Sequence, residues 1–201
     1  MIALINLGNS NIQSVINALE YLRIDFVVTN EMNEICNCSR IILPGVGTFA
    51  SGMKRLEELN LTECLREEVL VNKKPILGIC LGMQLLFETS EESKNVKGLN
   101  ILDGKVVSLP ISKNYKIPRI GWAESRLNQD FLSLKKHSVI DFYYIHSYYV
   151  LPKDKNIITI MTDDNITSAI ESDNIYACQF HPEKSHTNGL NILRNFAKLE
   201  G

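Results

Sequence analysis

Residues 75–88, PILGICLGMQLLFE, decide the fold. From Pro75 to Ile79 no position is polar, the mark of a strand covered on both faces of a sheet. From Leu81 the spacing turns helical, and a helix is predicted from Leu81 to about Thr89. Cys80 stands at the switch, with Gly78 and Gly82 two residues to either side. G-x-C-x-G between a strand and a helix is the pattern of a nucleophile elbow, where the reactive residue occupies a strained turn and nearby side chains would clash. The opening amides of the helix would point at the sulfur, favouring the thiolate and helping to hold an oxyanion. A free cysteine is most often a buried structural residue. The two glycines and the strand–helix switch are what favour a nucleophile here.

Outward from this stretch the same alternation repeats. IALINL, IDFVVT and RIILPG read as strands, and Ile12, Val15, Ile16, Leu19 and Leu22 line one face of a helix. A long helix is predicted from about Ser51 to Asn72. Apolar strands alternating with helices predict an α/β fold with an open, mixed, mainly parallel central sheet and helices on both faces. The second half, through GKVVSL, FYYIHSYYV, NIITIMT, ITSAIES and IYACQF, is strand-rich and predicts a mixed or antiparallel extension, closed by a helix from about Thr187 to Leu199. No repeat or linker composition interrupts the chain, so residues 1–201 are expected to form one domain.

A thiol nucleophile needs a base, and the chain has 4 histidines. His137 lies in the polar LKKHS turn and reads as solvated. His146, in FYYIHSYYV, reads equally as a site residue or a core histidine. His181 follows the apolar strand YACQF, at the carboxyl edge where open α/β sheets place their sites. Glu183 is two residues on, past Pro182, and in extended chain it shares a face with His181 and can orient its imidazole. HPE alone would read as a loop with a solvated charge; with Cys80 present, Cys80, His181 and Glu183 form a candidate triad. LPGVGTF places Gly45 and Gly47 around Val46 after another strand, either a plain tight turn or an oxyanion cradle. No Gly-Lys-Ser/Thr follows, so it is not a phosphate loop. His181/His186 and Cys36/Cys38 lack a second pair at ligand spacing, so no metal site is expected.

Composition closes off other classes. A net charge of −2 gives no basic field for nucleic acid. No apolar run approaches the roughly 18 residues of a membrane span, and the N-terminus lacks a basic leader. The 5 cysteines form no paired framework and read as reduced thiols of a cytoplasmic protein.

LPGVGTF (43–49), GICLGMQLLFETSEE (78–92), YYIHSYYV (143–150) and QFHPEKSHTNGLNILRNF (179–196) together resemble the class I, triad-type glutamine amidotransferases, with a flavodoxin-like sheet. More narrowly they are similar to the members that serve as glutaminase subunit of imidazole glycerol phosphate synthase. The resemblance runs from the first strand to the last helix. It implies hydrolysis of L-glutamine through a thioester on Cys80, with His181 as base and Glu183 as its orienter, and no cofactor. It implies an oxyanion site from the backbone of Gly45, Val46 and Gly47 and the Leu81 amide. Gln84 and Glu92 would meet the α-amino end of glutamine, and Ser147 and Tyr148 its other side. Ammonia would pass through a channel to a separate (β/α)8-barrel synthase subunit in a heterodimer, yielding imidazole glycerol phosphate and aminoimidazole carboxamide ribotide in histidine biosynthesis. The chain ends at Gly201 without room for an acceptor domain, in line with a partner in trans. Trp122, Ala123 and Lys184 are candidates for the partner surface. Two segments depart from the family pattern: NLGNSN (6–11) near the N-terminus, and Ala123 where asparagine usually follows Gly-Trp. Paralogues that feed surface-sugar amination enzymes, or a non-catalytic relative, share the same motifs. An elbow hydrolase is disfavoured by Gln84 and the HPEKS block.

Overall fold

In a computed structural model, which describes residues 1–8, 12–111, 115–132, 134–154, 157–162 and 164–199, PILGIC forms the strand β4 (Ile76–Cys80) at the centre of a nine-stranded sheet. Asn9, Ser10 and Asn11, part of the N-terminal departure from the family pattern, lie outside the described residues. On one side of β4, parallel pairing runs through β3 (Arg40–Gly45) and β1 (Ile2–Ile5) to β2 (Phe26–Thr29). On the other side β12 (Ile175–Cys178) pairs parallel with β4. The sheet then continues antiparallel through β11 (Thr167–Ser172), β10 (Ile158–Thr162), β7 (Arg119–Arg126) and the edge strand β8 (Val139–His146).

The parallel strands are apolar at successive positions because both faces are covered. Ile2 and Leu4 of β1 point into one core with Val15, Ala18 and Leu19 of α1 (Gln13–Tyr21) and Ile192, Leu193 and Phe196 of α6 (His186–Phe196). Ala3 and Ile5 point into the other, with Phe49, Met53 and Leu56 of α3 (Phe49–Glu58) and Met83 and Leu85 of α5 (Leu81–Leu85). A short helix, α2 (Met32–Asn37), and α4 (Leu61–Arg66) complete the helices. No helix among the described residues is long and apolar enough to cross a membrane.

Three local expectations are corrected. The helix predicted over 51–72 is three pieces. It starts at Phe49, because Thr48 and Ser51 exchange side-chain-to-backbone hydrogen bonds of 3.2 Å as a capping box. It breaks at Asn60, which takes the left-handed conformation (φ 56) that asparagine tolerates, and α4 runs into a wide π-type turn over Glu67–Val71. The helix predicted to Thr89 stops at Leu85, and Phe87–Ser90 is a strand, β5. Carbonyls that would accept from the next helical turn are already taken: Leu85 O by Leu99 N at 2.8 Å, and Leu86 O by Ile101 N at 2.9 Å. FYYIHSYYV is two strands in two sheets. β8 ends at His146, and β9 (Tyr148–Pro152) joins β5 and β6 (Leu102–Ser108) in a three-stranded second sheet. Ser147, between them, gives its carbonyl to Leu109 N at 2.9 Å and so cannot continue the first ladder.

Candidate functional site

The elbow is built by close backbone approach. Cys80 has φ 55 and ψ −109, a conformation an L-residue holds only when its surroundings enforce it. A Cβ on Gly82 would lie 1.8 Å from the Leu43 carbonyl oxygen, and one on Gly78 would lie 2.9 Å from Met83 N. Both glycines are therefore what lets α5 lie against β3 and β4, with Cys80 opposite Gly45 in the ladder. With five residues, α5 is too short for a full macrodipole, and the amides of its first turn, Leu81 foremost, are the donors it brings to the elbow.

Cys80 opens into a cleft of about 320 Å³ lined also by Val46, Gly47, Leu81, Gln84, Glu92, Ser147, Tyr148, His181 and Lys184. The structure thus gathers most of the residues singled out in the sequence. Gly45 lies beneath, in the ladder with Cys80, and Trp122 and Ala123 lie off the cleft on β7. Trp122 is half-exposed, stacked on His186 with centroids 4.8 Å apart, whereas Ala123 faces the core shared by α1 and α6.

His181 and Glu183 follow β12, Glu183 in a single 3₁₀ turn started by Pro182. His181 Nδ1 and Glu183 Oε1 are 2.9 Å apart, both side chains almost wholly buried. Ser14 of α1 donates its hydroxyl to the same carboxylate oxygen at 3.5 Å. Burial alone would lower the imidazole pKa; hydrogen bonds to Cys80 and Glu183 outweigh it and raise it to about 10. The loop is pinned to the edge strand: His181 N donates to Tyr143 O at 2.9 Å, Tyr143 N to Ser185 Oγ at 3.0 Å, and Ser185 Oγ to His181 O at 2.6 Å.

The cleft walls are tied together by polar bonds. Gln84 donates through Nε2 to Tyr148 O at 3.1 Å, and Glu92 accepts from Phe49 N at 2.6 Å, closing the N-terminus of α3. Cys80 Sγ lies 3.6 Å from the Ile145 carbonyl. His146 is buried; its Nδ1 donates to Tyr148 O at 2.9 Å, leaving Nε2 buried and without a partner among the described residues. Burial, with Arg119 and His181 nearby, lowers its pKa to about 4, so the ring is neutral. Among the described residues no group of three or more His, Cys, Asp or Glu is placed to hold a metal ion.

The sequence profile of the class-I glutamine amidotransferases matches residues 3–199. The chain belongs to that family. A relative described as imidazole glycerol phosphate synthase subunit HisH 2, from Methanococcus maripaludis, is 41% identical over 206 residues, covering 98% of this chain and 99% of its own. Subunit HisH 1 from Campylobacter jejuni is 43% identical over 202 residues, covering 99% and 100%. A solved chain described as a glutamine amidotransferase shares the fold with a TM-score of 0.80 at 14% identity, covering 99% of this chain and 100% of that one. The Trypanosoma brucei CTPS glutaminase domain with bound acivicin does so at 0.64 and 16%, covering 100% and 94%. The protein is an enzyme of this amidotransferase family, and its mixed, mainly parallel sheet with flanking helices is the family's fold.

Two residues at the site are not settled by the sequence alone. His146, which lines the cleft, reads from sequence equally as a site or a core residue, and Gln179, in the run YACQF, does not stand out as a site residue. The signal for Gln179 was there: an uncharged polar side chain in a run that is otherwise buried strand.

Proposed function

We propose that the chain is a glutaminase that hydrolyses L-glutamine to glutamate and hands the ammonia to a separate synthase subunit making imidazole glycerol phosphate in histidine biosynthesis. The observation that carries this reading is one cleft in which Cys80 meets a buried His181–Glu183 pair. The Cys80 thiolate attacks the side-chain carbonyl carbon of glutamine. His181, as imidazolium, gives its proton to the departing nitrogen; the C–N bond breaks, ammonia leaves, and a glutamyl thioester remains. Water, deprotonated by His181, then attacks the thioester; the C–S bond breaks, returning the thiolate and glutamate. Glu183 holds the ring and stabilises its charged form. The Leu81 amide and the backbone of Gly45, Val46 and Gly47 take up the developing oxyanion. Gln84 and Glu92 hold the α-amino end of the substrate, Ser147 and Tyr148 the other.

The names of the relatives support a partner subunit, and we read that partner as a (β/α)8 barrel docking near Trp122, the outer face of β7 beside Ala123, and Lys184. Gly47 has φ 105, and with glycines on both sides the Val46 peptide can turn at little steric cost, so partner binding can set the oxyanion site. Acivicin should label Cys80, and failure to label the protein in the presence of its synthase would refute the glutaminase chemistry. Rescue of a histidine auxotroph lacking its glutaminase subunit, lost in Cys80→Ala, tests the pathway; growth failure with wild type points to another ammonia acceptor. Equal glutaminase turnover with and without the synthase would remove the proposed control at Val46.

A further inference from the structure

Gln179 follows β12 directly and has no solvent exposure. Its backbone N–H is satisfied by Ser168 O at 2.8 Å, so the side chain alone needs explaining. Its amide nitrogen lies 3.6 Å from Cys80 Sγ, and its amide oxygen accepts from Gln84 Nε2 at 3.0 Å. A buried primary amide is costly to desolvate unless paired, and both partners of this one belong to the cleft. Gln84 also donates to Tyr148 O, so an unbroken line of hydrogen bonds runs from the nucleophile to the opposite wall.

We propose that Gln179 is a positioning residue that donates an N–H to the Cys80 sulfur, favours its thiolate form and ties it through Gln84 to the substrate-facing wall at Tyr148. This rests on the reading of Cys80 as nucleophile. Two contacts of equal length compete at the sulfur. The Ile145 carbonyl, at 3.6 Å, can be satisfied only by the protonated thiol, whereas the Gln179 N–H favours the anion. Gln84 fixes which way the amide faces: its N–H group needs the Gln179 oxygen, which leaves the nitrogen for sulfur. The other titratable groups around Cys80 are His181 with Glu183 behind it, His146 at the end of β8, Glu92 and Lys184 in the cleft, and Cys178 in the core behind. Gln179→Met leaves all of these groups in the chain, and any change at the sulfur is shared with His181, which is coupled to it.

The test is the pH profile of Cys80 alkylation by iodoacetamide in the full chain, followed on the Cys80 peptide by mass spectrometry so that the other thiols do not contribute. Gln179→Met keeps the volume and removes the donor. Its midpoint should move up by about one pH unit, with up to about tenfold slower labelling below the midpoint. Gln179→Glu should move it further, by placing an anion at the sulfur. Gln84→Met, which frees the amide to turn, should move it in the same direction by less. An unchanged or lowered midpoint in Gln179→Met with wild-type thermal stability overturns the proposal. If that variant does not fold, the same result in Gln84→Met overturns it. Acivicin labelling is a separate readout: its failure alongside a shifted profile would discard the glutaminase reading and leave this contact standing.

Discussion

His181 Nδ1 lies 2.9 Å from Glu183 Oε1, with only Pro182 between them in sequence. The proposed base and its orienter are thus fixed by a single turn and need no distant element to bring them together. Glu183→Gln keeps the shape and removes the charge, so glutaminase turnover should fall by about 10²-fold or more, and some of the stability tied to the charged ring should go with it. Steady-state kinetics with the synthase present checks it.

The His181 imidazole is charged because Cys80 and Glu183 outweigh its burial. Its pKa is raised above the unfolded value, so its contribution to stability is complete below the ordinary histidine range and is lost as the pH rises through about 10. In Cys80→Ala one of the two supports is gone. NMR of the ring should show His181 protonated at mildly alkaline pH in the wild type and titrating at distinctly lower pH in the variant. Equal titration would mean the sulfur does not act on the ring.

His146 should behave in the opposite way. With its pKa lowered to about 4 by burial, it should show no titration through the neutral range and add no step to the pH–rate profile there. His146→Phe removes the Nδ1–H from Tyr148 O and should raise KM for glutamine more than it lowers kcat, because Ser147 and Tyr148 line the cleft where the substrate is proposed to bind.

Gly82→Ala should be the more damaging of the two elbow substitutions. Its methyl would meet the Leu43 carbonyl at 1.8 Å, against backbone that cannot give way, and the cost should reach about 3 kcal/mol or more. Gly78→Ala, at 2.9 Å from Met83 N, should cost about 1–3 kcal/mol. Urea denaturation of both variants gives the order directly.

Away from the cleft, Glu68 and Lys74 form a buried ion pair, with Lys74 Nζ also donating to Ile35 O at 2.8 Å and Cys36 O at 2.9 Å. Burial would raise the Glu68 pKa, but Lys74 and Asn72 outweigh it and hold it below the usual range. That contribution is present above the ordinary glutamate pKa and lost as the pH falls through the folded value. Lys74→Met should cost about 3–5 kcal/mol by stranding the carboxylate, and adding Glu68→Leu should recover much of it. Thermal melts of the single and double variants decide.

Much of the parallel half was readable because β1, β3 and β4 are covered on both faces, with no polar residue in β1 or β4 and only Arg40 at the start of β3. β5 was not, since Leu81, Leu85 and Leu86 have helical spacing and only the amides of Leu99 and Ile101, far along the chain, decide otherwise. The same holds within the cleft. Cys80 and the HPE turn announce themselves through glycines and a proline, residues the backbone demands locally. Gln179 and His146 gain meaning only from partners: Gln179 meets Cys80 across 99 positions, and His146 shares Tyr148 O with Gln84, which lies 64 positions before Tyr148.

β8 is the outer strand of the nine-stranded sheet, and its free edge at Tyr143 is occupied by the backbone of His181 and the hydroxyl of Ser185. An open strand edge invites pairing with another chain. The segment that carries the proposed base therefore also serves as the bandage on the sheet. Any event that lifts it, whether heat, proteolysis or a substitution at Ser185, should bring inactivation and self-association together, and a preparation that has gone cloudy should already be dead.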